Sequence, residues 1–157
     1  MNILFLCTGN SCRSIIAEAL FRRTAPQGVT VQSAGSAPTG IVHPRALAVL
    51  EKAGISTARL HSKSWDALAE KPDVVITLCA DAAGEACPLY FGKVVRSHWG
   101  MPDPAKVTGD EATVAAAFDS TFEILQRRTA ALAQLPFAAL KAGGQELQKA
   151  LDAIAAQ

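Results

Sequence analysis

Two periodicities alternate along the chain. Asn2-Ile3-Leu4-Phe5-Leu6 is an apolar run of strand length, and beyond Arg13 the apolar residues Ile15, Ile16, Ala19 and Leu20 recur at helical spacing. The first pattern predicts a strand buried on both faces, and the second a helix that follows it after a short loop. Val29–Ser33 and Pro72–Leu78 are further strand candidates, the latter carrying the β-branched run Val74-Val75-Ile76, and Lys93–Ser97 is a fourth. Ala46, Leu47, Leu50 and Ala53 form a helical stripe closed by Gly54, and Val114, Phe118, Phe122, Leu125, Thr129 and Leu132 trace a longer helix after Gly109-Asp110. Strands alternating with helices predict an α/β domain: a central four-stranded parallel sheet with helices on both faces. Ligands of such sheets bind beyond the carboxyl ends of the strands, and Cys7 and Cys79 each follow such an end.

The alternation stops near residue 135. After Pro136 and Gly143-Gly144, Leu147, Leu151 and Ile154 predict a short amphipathic helix, so the expected organisation is one domain over residues 1–135 and a helical extension over 136–157. A chain of 157 residues has room for one ordinary core, and a composition half hydrophobic and 18% charged excludes a charge-rich disordered tail as its main feature. Fifteen Lys and Arg against fourteen Asp and Glu leave a net charge of +1, so neither nucleic acid nor membrane is expected as a partner, and any anion specificity must be local. Met1–Leu6 lacks a basic leader and is far shorter than a membrane span, which makes a cytoplasmic protein the expectation. In that reducing compartment Cys7, Cys12, Cys79 and Cys87 are not a disulfide framework, and their positions need a chemical explanation.

Cys7-Thr8-Gly9-Asn10-Ser11-Cys12-Arg13-Ser14 sets a thiol at a strand end, a guanidinium six residues later, and small or turn-prone residues between. Inward-turned amides and the N-terminus of the next helix would hold a tetrahedral anion, with Arg13 adding a two-pronged donor. The same donors are expected to lower the Cys7 pKa and make it a nucleophile, with Ser14 donating to its sulfur and Asn10 bracing the loop. A buried bystander thiol beside an ordinary turn is the plain alternative for Cys7, and it leaves the order of strand, loop, arginine and helix unexplained. For Cys12 the packing role is preferred.

This stretch resembles the C-x5-R-S loop of the low-molecular-weight protein tyrosine phosphatase superfamily, and its CTGNSCRS form looks most like the arsenate reductases within it. The resemblance, which covers about residues 1–135, implies that Thr8, Gly9, Asn10, Ser11, Cys12, Arg13 and Ser14 bind the oxyanion. Arsenate is then the expected substrate. Its reduction to arsenite takes two electrons, the number released when two thiols become a disulfide. Thr77-Leu78-Cys79-Ala80-Asp81 and Cys87-Pro88 resemble the redox segment of the thioredoxin-coupled reductases, with a spacing one residue longer. Cys79 is therefore the expected second thiol and Cys87 the third. Thioredoxin is the expected reductant, with a glutathione or glutaredoxin route as the rival. Zinc is disfavoured because the cysteines do not form paired knuckles and His43, His61 and His98 are scattered, so no metal or other cofactor is expected.

A hydroxide leaving arsenate needs a proton. His98-Trp99-Gly100-Met101-Pro102-Asp103-Pro104 resembles the general-acid loop of the same superfamily, which implies that role for Asp103. Ala105 stands where tyrosine phosphatases of this scaffold carry an aromatic wall, and Tyr90 is the single tyrosine, so a compact oxyanion suits the chain better than a phosphotyrosine. Glu18 and Ser33-Ala34-Gly35-Ser36 resemble positions that support the loop, in some relatives around potassium; here the acidic ligand near His61-Ser62-Lys63-Ser64 is missing, and the Lys63 ammonium is the candidate substitute. His43-Pro44-Arg45 reads as a helix cap. Two other functions compete: a phosphatase in which water resolves a phosphocysteine, and an oxyanion or arsenite sensor, which would ordinarily bring a basic DNA-reading helix that this sequence lacks. A monomer is expected.

Overall fold

The computed structural model describes residues 1–79, 93–140 and 144–157. Four strands, β1 (Asn2–Leu6), β2 (Thr30–Ala34), β3 (Val74–Thr77) and β4 (Val95–His98), form one sheet in the order β2-β1-β3-β4, with every pair parallel. The register aligns Leu6 with both Ala34 and Thr77, and Thr77 with His98. All four strands therefore end at one level, and Cys7, Gly35, Leu78 and Trp99 leave the sheet along the same edge. Of the four sequence-predicted strands, Asn2–Leu6 is observed with the same ends and the other three with ends shifted by one or two residues. Pro72, which has no N–H to give a ladder, and Asp73 lie outside β3, and the Asp73 carboxylate accepts from the Asn2 amide at 2.7 Å.

Side-chain alternation assigns the faces. Ile3, Phe5, Val74, Ile76 and Val95 join the main core, into which the helices α1 (Arg13–Thr24), α2 (Pro44–Lys52), α3 (Glu111–Ala133) and α4 (Gln145–Ala155) send their apolar faces. Leu4, Leu6, Ala34 and Val75 point to the other face, where Trp65, Leu68 and Val94 cover them among the described residues. α1 is buried continuously from Arg13 to Phe21.

Each described helix has a legible boundary. Asp110 caps α3 by accepting from Thr113 N at 2.8 Å, and Phe118, Thr121, Leu125, Thr129 and Leu132 repeat every three or four residues along its buried side. α2 starts with Pro44 at its first position and is followed by Gly54 at φ +72°, a backbone angle that favours glycine. The C-terminal helix α4 packs beside β4, with Leu147 and Leu151 fully buried in the main core. Among the described residues no helix is long and apolar enough to cross a membrane.

Candidate active site

The loop between β1 and α1 is shaped from outside by what takes its carbonyls. Thr8 O accepts from Ala37 N at 3.0 Å, Gly9 O from Thr39 N at 3.1 Å and from Ser62 Oγ at 3.2 Å, and Ser11 O from His43 N at 3.0 Å. A peptide unit whose carbonyl is tied outward turns its N–H the other way, so these bonds line the inside of the loop with donors. Gly35 lets the tying segment come this close: a Cβ there would lie 2.3 Å from Thr8 O and 2.7 Å from Cys7 O. Asn10 is fully buried at φ +43°, held by donating from Nδ2 to Ser14 Oγ at 2.8 Å and Ser33 Oγ at 3.0 Å while Oδ1 accepts from Lys63 N at 2.9 Å. Asn tolerates this left-handed conformation better than most residues, and its amide supplies the bracing expected of it.

Cys12 occupies the N-cap of α1 without a side-chain capping bond, and no acidic residue lies in the first turn, so the positive end of the helix faces the loop uncompensated. Cys7, Gly9, Asn10, Ser11, Cys12 and Arg13 line a cavity of about 220 Å³, closed on its other side by Thr39, His43, Asp103 and Ala105. Larger surface grooves lie between α2 and α3 and along β4, and among the described residues neither is lined by a cysteine.

Arg13 is buried and oriented by the opposite wall. Its Nη1 donates to Met101 O at 3.0 Å and its Nη2 lies 3.4 Å from Asp103 Oδ2. Nε has no partner among the described residues, a donor left over at the cavity wall. The Asp103 carboxylate is held at its other oxygen, which accepts from Ala105 N at 3.0 Å. The loop carrying it continues from β4: Trp99 N donates to Thr77 O at 2.7 Å and Met101 N to Leu78 O at 3.1 Å. The His98 ring lies over Gly100, where a Cβ would meet its Nε2 at 2.5 Å unless the ring turned aside.

Cys7 and Cys79 are both buried and form a small cluster of their own. The Cys79 sulfur accepts from Thr8 N at 3.3 Å and lies 3.4 Å from Thr8 Oγ1. The expected lowering of the Cys7 pKa is not met in this arrangement. A hydrogen bond with Cys79 and burial push the Cys7 thiol above its ordinary range, with Arg13 pulling the other way. The reason is the neighbouring sulfur, which sets a second ionisable thiol against the first in a site with little water. Ser14 Oγ accepts from Asn10, which leaves its O–H to donate. Burial pushes Cys12 up to about 11, as suits a packing thiol.

Below the loop, Glu18 is almost completely buried, accepts hydrogen bonds from the Ser33 hydroxyl and from Arg22, and pairs with the Lys63 ammonium 3.9 Å from Oε2. Two cations already face this one carboxylate, so the charge balance does not fit an added potassium ion. Burial pulls the Lys63 pKa below its ordinary value and Glu18 opposes the shift. Among the described residues no group of three or more His, Cys, Asp or Glu is arranged to hold a metal.

The structure thus brings Cys7, Thr8, Gly9, Asn10, Ser11, Cys12, Arg13, Ser14, Cys79 and Asp103 to one edge of the sheet, while Cys87 lies outside the described residues. Sequence reasoning did not find Thr39 in the cavity wall, nor the part His43 plays in it. His43-Pro44 did carry a readable signal: Nδ1 caps α2 by accepting from Arg45 N at 3.1 Å, and the same residue's amide ties Ser11 O.

A thiol-bearing loop at the first strand end of a parallel sheet, faced by an Asp-Pro turn, defines a class, and sequence comparison agrees with it. Residues 2–150 match the family described as low molecular weight phosphotyrosine protein phosphatase, and the chain belongs to that family. Within it the chain is similar to the arsenate reductase of Bacillus licheniformis, 43% identical over 110 residues that cover 69% of this chain and 78% of that protein. It is also 37% identical over 133 residues to the arsenate reductase of Halalkalibacterium halodurans, covering 84% and 94%. Among solved structures, an arsenate reductase in the reduced state matches with TM-score 0.65 and 27% identity over 84% of this chain and 95% of that one. The tyrosine phosphatase Wzb from Escherichia coli K30, in complex with sulphate, matches with TM-score 0.67 and 27% identity over 85% and 96%.

Proposed function

We propose that the protein is an arsenate reductase. The observation that carries this reading is the second thiol: Cys79 rests against Cys7 and is held there by Thr8 of the anion loop. A phosphatase needs water at that position, whereas a two-electron reduction needs a sulfur. In the proposed cycle the Cys7 thiolate attacks arsenate, and an As–O bond breaks as Asp103 gives its proton to the departing oxygen. The loop amides and Arg13 hold the charge, with Arg13 Nε as a further donor to the bound oxyanion. The Cys79 thiolate then attacks the Cys7 sulfur. The S–S bond forms, the S–As bond breaks, and its electron pair leaves with arsenic as arsenite. Cys87 attacks Cys79 in turn, frees Cys7, and passes the oxidation to a Cys79–Cys87 disulfide that an external dithiol reduces. Thioredoxin is the proposed donor. Lys63 takes the place of a supporting cation under Glu18, and a cytoplasmic site of action follows from the reducing chemistry.

The phosphatase reading has its own support, the similarity to Wzb and a loop that suits either oxyanion. One experiment separates the two. Purified protein is given arsenate with thioredoxin, or with glutathione and glutaredoxin, and arsenite release is followed for the wild type and for Cys7→Ser, Cys79→Ser and Cys87→Ser, with phosphate-ester hydrolysis measured alongside. Loss of arsenite release in all three variants supports the relay. Ester hydrolysis that survives Cys79→Ser and Cys87→Ser, without arsenite release by the wild type, overturns it.

A further inference from the structure

The Asp103 loop is gripped by two guanidinium groups approaching from different parts of the chain. Arg13 holds Met101 O, as described above. Arg128, from α3, donates from Nη1 to Trp99 O at 3.0 Å and from Nη2 to Ala155 O at 3.1 Å. Ala155 closes α4, where the carbonyls lack intrahelical donors and the helix dipole is negative. α4 makes two bonds of its own to the same stretch: Leu151 O accepts from Trp99 Nε1 at 3.1 Å, and Asp152 Oδ1 accepts from Ser97 Oγ at 2.9 Å. Trp99 is fully buried and packs on Phe5 with ring centroids 6.0 Å apart.

We infer that Arg128 and the C-terminal helix α4 form a strut that positions the Asp103 loop, which makes Arg128 a positioning residue for the acid step. This rests on Asp103 being the acid, as proposed above. A buried guanidinium is costly, and an apolar side chain would fill the space without that cost. Only a planar fork with two donors fixes the angle between carbonyls from two separate segments. Nε of Arg128 is buried without a partner among the described residues, so the group is held for its two Nη contacts and not for complete satisfaction. The path from Trp99 to Asp103 is short and stiff. Met101 is tied to Leu78 and Arg13, and Pro102 and Pro104 restrict what remains, so a tilt at Trp99 is passed on to Asp103.

The test is a double-mutant cycle of Arg128→Met and Asp103→Asn, read as the maximal rate of arsenite release, with phosphate affinity of the oxidant-free protein measured by calorimetry. Arg128→Met is expected to lower the rate about tenfold while phosphate affinity stays within about twofold, and to cost less than about twofold more in the Asp103→Asn background. Arg128→Lys, which reaches one carbonyl, is expected to recover only part of the rate. Equal losses in both backgrounds, or full activity in Arg128→Met, overturn the inference. If Arg128→Met does not fold, Trp99→Phe, a smaller ring that removes the bond to Leu151, is run through the same cycle. A wild type that releases no arsenite refutes the arsenate reading alone, and the cycle is then read with phenyl phosphate, whose poor leaving group needs the same acid. Asp103→Asn at the wild-type rate on both substrates removes the acid and the strut together.

Discussion

The anion loop and the acid loop leave the same edge of the sheet, yet they are held by different means. Three carbonyls of the anion loop are tied by main-chain amides of the Ala37–His43 segment, which enters through Gly35 in direct backbone contact. The acid loop has main-chain ties to Thr77 and Leu78 at Trp99 and Met101, and it is further anchored by two distant side chains, Arg13 and Arg128, and by its own Trp99 indole on Leu151 O. The contrast suits the chemistry proposed above. Dipoles that stabilise developing charge must not reorient during reaction, so they sit in a frame of many short backbone bonds. A proton donor needs only to be aimed, and a few struts suffice.

The largest expected effect strikes that frame. Gly35→Ala drives a methyl group into two loop carbonyls that cannot turn aside, and is expected to lose about 3 kcal/mol or more in urea unfolding together with most anion binding. Its counterpart in the acid loop, Gly100→Ala, meets only the end of the His98 ring, and is expected to lose about 1 kcal/mol in the same measurement. A reversed ranking would break the comparison.

Asp103→Asn sharpens it from the other side. Arsenite release is expected to fall about 100-fold while phosphate binding persists, since the substitution removes a proton donor and leaves the loop amides alone. Unfolding is expected to change by no more than about 1 kcal/mol, because the pair with Arg13 is partly exposed. Lys63→Met acts beneath the frame: it removes one of two cations from the buried Glu18 and is expected to cost about 1–2 kcal/mol. Wild-type activity is expected to ignore added potassium, and partial rescue of Lys63→Met by potassium would identify the lysine as its substitute. A stable, fully active Lys63→Met removes that role.

The smallest effect is electrostatic. The hydrogen bond to Cys79 raises the Cys7 pKa, so Cys79→Ala removes an upward influence and leaves Arg13 less opposed. The midpoint of Cys7 alkylation by iodoacetamide should move to lower pH, and its rate at neutral pH should rise. An unchanged or higher midpoint would mean that the loop, not the neighbouring sulfur, governs the thiol.

Contiguity decided what could be read from the residues alone. Strand, thiol, turn, arginine and helix follow one another between Asn2 and Thr24, so β1, the loop and α1 were legible together, and the parallel order made Cys79 a neighbour of Cys7. Three features were not legible. The partners of Arg128 are two carbonyls brought close by folding, and its position on an α3 face otherwise rich in apolar residues gives no hint of them. The ties from Ala37, Thr39 and His43 are made by amides, which every residue but proline possesses, so no side-chain pattern announces them. The rise in the Cys7 pKa depends on how closely a second sulfur approaches, and chain spacing does not encode that distance.

The backbone nature of those ties has a consequence for descent. Ala37, Thr39 and His43 hold the loop through groups that survive replacement of their side chains, while Thr39 and His43 also line the cavity in front of it. Recognition can therefore drift by ordinary point mutation along the rim while the reaction centre keeps its shape, a division of labour under which one ancestral catalyst can give rise to lineages that handle different substrates.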